Sequence, residues 1–364
     1  MVKVIAVLAG LTVLVTGQLA FGGTEQAGSW TVLVGEQKKA PAGTPKQTFL
    51  NQFFPGQLTI NAGDKVTFSS VGFHTASYLG GKPFPPFVLT PKGEVYEDIV
   101  DEAGQPFFFD GEQKFTYGLG LFVPAGPKTI SRGKFASSGV IVAQNPKKPV
   151  TATYTFPQAG KFKMLCLIHP PDMVMNIVVK PKGASVPSAE DVAARAQEET
   201  DAAWAAGKAL VAQKPPKNTI YMGVENAKQA GGRTTVLDFV PNLTTVKAGT
   251  RVTFRVKAPT EAHNVAFGPL KYLDKIFKQT DLFPMGPNSR NQLTPFFIYG
   301  SDAPGTPYEG RATHGNGFYA TPLADGIKGG LPNVSRITFT TPGKYHFICQ
   351  LHGPDMAADI RVTK

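Results

Sequence analysis

Several residue types that build binding sites are scarce in this chain, which has only two cysteines and six histidines in 364 residues. Two cysteines exclude a disulfide-rich scaffold and allow at most one bridge. Cys166 and Cys349 lie in different halves of the chain, each near the end of a predicted strand. A bridge would bring both Cα atoms within about 7 Å of each other. We therefore expect two free thiols, with a single disulfide as the alternative.

Charged residues make up only 17% of the chain, and acidic residues are fewer than basic ones, 26 against 37. No basic run is longer than pairs such as Lys38-Lys39 and Lys147-Lys148, so nucleic-acid binding has little support. The net charge of +11 fits either a soluble basic surface or docking to an acidic partner or an anionic membrane. The hydrophobic content of 42% excludes disorder over most of the chain.

Long apolar runs are also rare, and only one could approach a membrane span. Residues 1–22 read as a signal peptide, with Lys3 before an apolar run and Ala20 and Gly22 at a cleavage position. The alternative is an uncleaved anchor, since the run nears the roughly 20 residues needed to cross a bilayer. In either case we expect export to a periplasmic or extracellular location, with membrane contact only if the leader stays attached.

One motif occurs twice and contains both cysteines. In each copy a Cys is followed three positions later by His and four positions further by Met. A second His follows a shared strand-like pattern, in which residues 63–68 (GDKVTF) match residues 249–254 (GTRVTF). The residues concerned are His74, Cys166, His169 and Met173 in the first copy and His263, Cys349, His352 and Met356 in the second.

The long-period repeat predicts two domains of the same fold, at residues 28–182 and 216–364. The 39 glycines and 31 prolines indicate many turns and short strands, hence an all-β class. Residues 187–214 differ, because apolar residues recur there at helical spacing behind a Ser188 cap answered by Asp191. Pro215 and Pro216 end this predicted long α-helix, with Trp204 as its packing anchor; the alternative is a solvated spacer.

These paired motifs resemble the cupredoxin family, which includes plastocyanin and azurin. The resemblance covers nearly the whole chain apart from the leader and the helix. It implies two Greek-key β-sandwich domains in tandem, each holding one type 1 copper. By this resemblance the eight residues named above are the metal ligands, with Asp-Met following a Pro-containing turn in both copies.

The donor chemistry agrees with that implication. A thiolate, two imidazoles and a weak thioether suit both Cu(I) and Cu(II), so one electron can pass with little reorganisation. Met173 is preferred over Met175 as the thioether donor, because the second copy has Ala358 at the position matching Met175. The predicted function is single-electron transfer without catalysis, with a redox protein of acidic docking face as partner; a homo-oligomer is left open.

Three other functions are weighed against the carrier. A two-domain copper oxidase or nitrite reductase needs further histidines, but no His-x-His occurs, and Leu165 and Ile348 precede the cysteines. Only His314 and His346 remain, fewer than the roughly three ligands of a catalytic metal. Copper storage or delivery usually exposes Met- or His-rich tracts, which this chain lacks. A metal-free adhesion sandwich does not explain eight paired donors.

The surroundings of the two motifs also differ in sequence. Asn264 follows His263 whereas Thr75 follows His74, so we expect unequal reduction potentials, with the second site better defined. The residues beside His169 and His352 are small or apolar, which suits close approach of a partner at exposed imidazole edges.

Long insertions follow the first histidine of each motif and are rich in aromatic residues. We expect these residues to pack on their own sandwich or, alternatively, to form a domain or subunit face. They are Phe84, Phe87, Phe107, Phe108, Phe109, Phe115, Tyr117, Phe283, Phe296, Phe297, Tyr299, Phe318 and Tyr319.

Overall fold

A computed structural model describes residues 27–100, 104–279, 292–293, 295–301, 317–327 and 330–364. The predicted leader and His314 lie outside these residues. No helix among the described residues is both long and apolar enough to span a membrane. The class is all-β with one long helix, as the sequence predicts.

The first half of the chain, up to residue 186, is built from short strands. Apolar side chains alternate along them, so that Val66 and Phe68 of one strand face inward while the residues between them are more exposed. The strands are β1 (Ser29–Val34), β2 (Thr48–Phe54), β3 (Gln57–Asn61), β4 (Lys65–Ser70), β5 (His74–Tyr78), β6 (Val88–Leu89), β7 (Thr116–Tyr117), β8 (Ala136–Ile141), β9 (Val150–Thr155), β10 (Gly160–Leu165) and β11 (Val174–Lys180), with a 3₁₀ turn at Leu119–Leu121.

The second half, from residue 217, follows the helix α1 (Ala189–Leu210) and has the same kind of architecture. Its strands are β12 (Thr219–Glu225), β13 (Gly232–Val240), β14 (Leu243–Lys247), β15 (Thr250–Lys257), β16 (Ala266–Phe267), β17 (Tyr319–Ala320), β18 (Val334–Phe339), β19 (Gly343–Cys349) and β20 (Gly353–Thr363), with helices α2 (Leu270–Gln279) and α3 (Pro295–Ile298).

The strand orders of the two halves correspond. One five-stranded sheet runs β3-β11-β10-β5-β8 in the first half, and the other runs β14-β20-β19-β16-β17 in the second. The facing layer is a single eight-stranded sheet, ordered β18-β15-β12-β13-β2-β1-β4-β9. Each half thus has its own sandwich, and the two share one continuous sheet.

The shared sheet is joined where β2 pairs antiparallel with β13, with Leu50 opposite Thr234. Buried polar side chains reinforce this seam: Gln52 Nε2 donates to Thr234 Oγ1 at 3.1 Å, and Asn51 Nδ2 donates to Thr235 Oγ1 at 3.0 Å. Because β2 and β13 pair with each other, neither is left as an exposed edge strand.

The helix α1 is docked on the sandwiches. Ser188 caps it and exchanges hydrogen bonds with Asp191 in a capping box. Trp204 is buried with Leu50 and Phe54 of β2, and Thr234 Oγ1 of β13 donates to the Ala203 carbonyl at 2.9 Å. The predicted helix and its Trp204 anchor are confirmed, and the solvated-spacer alternative is wrong.

Aromatic residues of the first insertion do not pack only on their own half, so that expectation is wrong for the residues described. Phe107 and Phe109 are buried against Leu273, Ile276 and other residues of the second half. Phe115 and Tyr117 belong to a neighbouring cluster that includes Leu293. Phe283 and the side chains of Phe296 and Phe297 lie outside the described residues. The insertion is therefore a contact layer between the halves.

Candidate metal centre

The first His/Cys/His set converges at one end of the first sandwich. His74 begins β5, and Cys166 directly follows β10, which is the strand next to β5 in the sheet. His74 Nδ1 lies 3.1 Å from His169 Nδ1, which in turn lies 3.5 Å from Cys166 Sγ. All three residues are buried.

The second set repeats this arrangement in the other half. Cys349 ends β19, and His352 stands immediately before β20. Cys349 Sγ lies 3.3 Å from His352 Nδ1 and 3.8 Å from His263 Nδ1. His263 is anchored to Ala324 by paired backbone hydrogen bonds, each of 2.8 Å. Within each of the two sets, the donor atoms lie within 4.8 Å of one another.

These separations are those of donors around one ion. Ligand bonds of about 2.0 Å to nitrogen and 2.3 Å to sulfur, spread in a plane, put donors roughly 3.5–3.7 Å apart. The four measured separations run from 3.1 to 3.8 Å. Two imidazole nitrogens and a thiol, buried and mutually this close, form a donor set that fits a thiophilic transition metal.

The two methionines lie in the cores beside their cysteines. Met173 is fully buried in the cluster that contains Cys166, and Met356 is fully buried in the cluster that contains Cys349. The loop that joins Cys166 to Met173 closes on itself, since Cys166 N donates to the Met173 carbonyl at 3.0 Å and Met173 N donates to the His169 carbonyl at 3.3 Å. This closure keeps the loop donors near the thiol.

Two glycines that the sequence analysis did not single out make room for the first histidine of each set. Gly35 and Gly223 both have left-handed backbone, with φ of 71° and 61°. A Cβ at Gly35 would lie 2.2 Å from His74 Nε2, and one at Gly223 would lie 2.4 Å from His263 Nε2. Only glycine satisfies both the backbone and the space. Gly35 directly follows β1, and Gly223 lies near the end of β12.

A different polar residue ties the first histidine to the cysteine loop in each half. Thr75 Oγ1 accepts from Leu167 N at 2.8 Å. In the second half Asn264 Oδ1 accepts from Gln350 N at 2.9 Å, and Asn264 Nδ2 donates to Gln350 Oε1 at 2.7 Å. Asn264 and Thr75 therefore play similar parts in their two halves, Asn264 through two hydrogen bonds and Thr75 through one.

The imidazole edges of the second histidines are mostly covered, whereas the sequence analysis expected them to be exposed. His169 Nε2 lies 3.3 Å from Glu261 Oε1, and His352 Nε2 lies 3.7 Å from Glu261 Oε2. Their side chains are only 9% and 14% exposed. Glu261 was missed in the sequence; its position two residues before His263 was the only signal.

The charges in the two sets favour thiolates. Burial alone would raise the pKa of the Cys166 thiol, but His169 and His74 outweigh it and hold the pKa well below its usual range. His352 and His263 do the same for the pKa of Cys349.

The charge of Glu261 acts on both second histidines. Burial would lower the pKa of His169 and of His352, but Glu261 and the cysteines outweigh this effect and raise both pKa values to about 10. In turn, the two histidines outweigh burial and hold the pKa of Glu261 well below its usual range. Metal binding would release the protons that these groups carry.

Other titratable residues near the sets have different roles. Glu225 is buried beside Glu261, and this burial raises its pKa to about 7. His346 is turned away from the site and pairs with Asp359 at 3.0 Å. His346 therefore adds no donor to the second set.

Comparison with known proteins gives likeness in shape only. No protein-family model matches the chain, and no curated protein matches its sequence. Among solved structures, oxidised plastocyanin from Dryopteris crassirhizoma is 19% identical, covering 40% of this chain and 99% of its own, with a TM-score of 0.20.

Two other solved structures are similar to the same extent. The purple cupredoxin of Nitrosopumilus maritimus is 14% identical over 40% of this chain and 98% of its own, with a TM-score of 0.20. Auracyanin A, a blue copper protein of Chloroflexus aurantiacus, is 19% identical over 40% and 96%, with a TM-score of 0.21. Because these TM-scores are far below 0.5, the proposals below rest on the geometry of the two donor sets.

Proposed function

We propose that this chain is an exported electron carrier with two cupredoxin domains in tandem, each binding one type 1 copper. The observation that carries this proposal is the twofold occurrence of a buried His/Cys/His set with metal-like donor spacing. The proposed ligands are His74, Cys166, His169 and Met173 in the first half and His263, Cys349, His352 and Met356 in the second.

The chain's own residues prepare each site for a rigid, dry metal centre. Depressed thiol pKa values supply thiolates, and the histidines are held from outside by glycine contacts, the Glu261 carboxylate and backbone pairing. A copper ion bound there would supply a one-electron couple. Since the donors already converge within bonding distance of a common point, little rearrangement is needed in either oxidation state.

The docking place of the redox partner is proposed from the solvent exposure of the two loops. Pro354 and Asp355, beside His352, are exposed, whereas Asp172 at the matching place in the first half is covered by Lys228 and Arg233. We therefore place docking of the redox partner, a protein with an acidic face that complements the net charge of +11, near the second site.

The decisive experiment is metal analysis with a visible spectrum on the purified full-length protein after copper addition. The expected result is two coppers per chain and an intense thiolate-to-copper band near the red end of the spectrum. Colourless protein, or copper without that band, would contradict the proposal. Assays for oxygen and nitrite turnover separate carrier from enzyme, and measurable turnover would replace the carrier with the oxidase or reductase.

A further inference from the structure

One carboxylate lies between the two donor sets. Glu261 Oε1 is 3.3 Å from His169 Nε2, and Glu261 Oε2 is 3.7 Å from His352 Nε2. The opposite nitrogen of each ring, Nδ1, is the one that faces the cysteine sulfur, at 3.5 Å in the first set and 3.3 Å in the second. A single side chain therefore contacts one proposed ligand of each site, on the side away from the metal position.

The carboxylate is held in this place by the seam between the halves. Asn51 of β2, which is 1% exposed, donates from Nδ2 to Glu261 Oε1 at 3.1 Å. The Glu261 backbone is fixed by a turn in which its N–H donates to the Ala258 carbonyl at 3.1 Å. Glu261 also stands two residues before His263, so the same loop supplies a ligand of the second site. A side chain fixed at so many points loses little entropy when it bridges two rings.

Among the described residues of the first half, the position that matches Glu261 has no carboxylate. Gly72 stands two residues before His74, at the place that matches Glu261. A Cβ at Gly72 would already lie 3.0 Å from His74 Nε2, so a glutamate there would be crowded by the ring. Because the second histidines of both sets meet at a single seam, one carboxylate serves both, and the first half does not need its own.

We propose that Glu261 is the junction that joins the two metal sites into one redox unit, through which they share negative charge and exchange electrons. This rests on the proposed function. With copper bound in both sites, the exchange would move one electron from a Cu(I) ion held by one donor set to a Cu(II) ion held by the other, so that one ion is oxidised and the other reduced. No bond is made or broken and no proton is transferred.

The charge effect has a definite direction. A carboxylate that accepts from Nε2–H makes Nδ1 a stronger donor, and it favours the more positive oxidation state of the ion bound there. Removing the charge while keeping the shape, in Glu261→Gln, should therefore raise the reduction potentials of both sites together. A residue that merely supported the loop of one site would change only that site.

The experiment uses the full-length protein loaded with two coppers. Potentials are measured by spectroelectrochemistry, each site being identified in single-copper variants that lack Cys166 or Cys349. Exchange is followed by reducing a small fraction of the oxidised protein in a fast pulse and recording the redistribution. The matched control is Glu225→Gln, because Glu225 is buried beside Glu261 and its hydrogen-bond and ion-pair partners among the described residues are Thr235, Thr260 and Arg233. The comparison is made at pH 8, above the Glu225 pKa of about 7.

We expect Glu261→Gln to retain two coppers, raise both potentials and slow the exchange several-fold. Glu261→Asp, whose shorter side chain cannot span both rings, should slow the exchange while moving the potentials less. The control should leave exchange unchanged. Two coppers with unchanged potentials, a change at one site only, or equal slowing in the control would overturn the junction. Absence of blue copper in the parent protein would instead overturn the proposed function.

Discussion

The two donor sets contain the same residues, yet they are enclosed differently. In the loop of the first set, Asp172 accepts from Lys228 Nζ at 2.8 Å and from Arg233 Nη2 at 2.7 Å, both belonging to the second half. In the loop of the second set, Asp355 occupies the matching place and is exposed. The loop of the first set is therefore covered by the other half, whereas the loop of the second set is exposed at Pro354 and Asp355. Both halves have the same donor residues, but contacts between the halves determine how exposed each loop is to solvent.

The sulfur atoms differ in the same comparison. Cys166 Sγ accepts backbone N–H groups from Thr75 at 3.3 Å and from Ile168 at 3.4 Å. Within the part of the chain that the structure describes, the polar partners of Cys349 Sγ are the two imidazoles. Hydrogen bonds to a ligand thiolate tune a metal's reduction potential, so identical donors need not give identical sites.

The largest expected effect tests whether the two sets are independent as binding sites. Cys166→Ala and Cys349→Ala should each lower copper from two ions per chain to one, since the thiolate is the strongest soft donor of its set. Metal analysis and the visible band check this. His346→Ala is the control and should keep both ions. Loss of both ions in either cysteine variant would show that neither set binds metal alone.

The glycines behind the first histidines test whether the two sets are packed alike. Gly35→Ala and Gly223→Ala should each cost about 3 kcal/mol, combining left-handed strain with a clash against the ring. Urea unfolding of the metal-free protein measures the loss.

The controls for the glycine variants separate strain from clash. Gly63→Ala and Gly249→Ala lie at φ of 98° and 83° with no atom within 4 Å of the added Cβ. They should cost only about 1 kcal/mol each, from backbone strain. Equal losses at Gly35 and Gly63 would mean that His74 moves freely out of the way.

The loop aspartates test the unequal enclosure. Asp172→Asn should destabilise the protein by about 1.5 kcal/mol, because it breaks a partly buried ion pair and weakens the contact between halves. Asp355→Asn, on the exposed loop, should change stability by less than about 0.5 kcal/mol. Thermal and urea unfolding of both variants give the comparison. Equal effects would contradict the difference in enclosure.

The same pair predicts a pH dependence. Burial would raise the pKa of Asp172, but Lys228 and Arg233 outweigh this effect and lower the pKa below its ordinary value of 3.8. A carboxyl with a lowered folded-state pKa stabilises the protein above its unfolded-state pKa, and this contribution disappears as the pH falls through the folded value. The difference in free energy of unfolding between the parent and Asp172→Asn should therefore be largest at neutral pH. It should disappear below about pH 4, the ordinary range for the pKa of Asp.

The smallest effect is on the potentials of the two sites. Each N–H donor to the Cys166 thiolate withdraws charge and favours Cu(I), so the first site should have the higher potential. About 1 kcal/mol for a hydrogen bond corresponds to roughly 40 mV in a one-electron couple. Spectroelectrochemistry of Cys349→Ala and Cys166→Ala isolates the first and second sites. Coincident potentials, or a higher value at the second site, would contradict this assignment.

Much of the architecture was accessible from local patterns. Alternating runs such as the one around Val66 and Phe68 predicted strands, and the Ser188 cap with Pro215 beyond predicted the long helix, because these signals act within a few residues. Spacing of the paired motifs likewise predicted which histidines would meet each cysteine. These predictions concern residues whose surroundings are set by their own repeat.

The contacts between halves could not be read in that way. The antiparallel pairing of β2 with β13 and the burial of Phe107 against the second half depend on which surfaces meet, and no local pattern encodes that. The same limit explains why the imidazole edges were expected to be exposed: the small residues beside His169 fit an open edge as well as a covered one. Glu261 could not be distinguished from an ordinary loop glutamate.

By itself, the sequence determined that two sets of sulfur and imidazole donors exist, each within one β-rich half, because a ligand motif and its strand periodicity are local properties. Only the tertiary structure decided that the two sets meet across one carboxylate, and that the loop of one set is covered while the loop of the other is exposed. The physical reason is that charge and solvent access depend on atoms brought together from distant parts of the chain, as Asn51, His169 and Glu261 are.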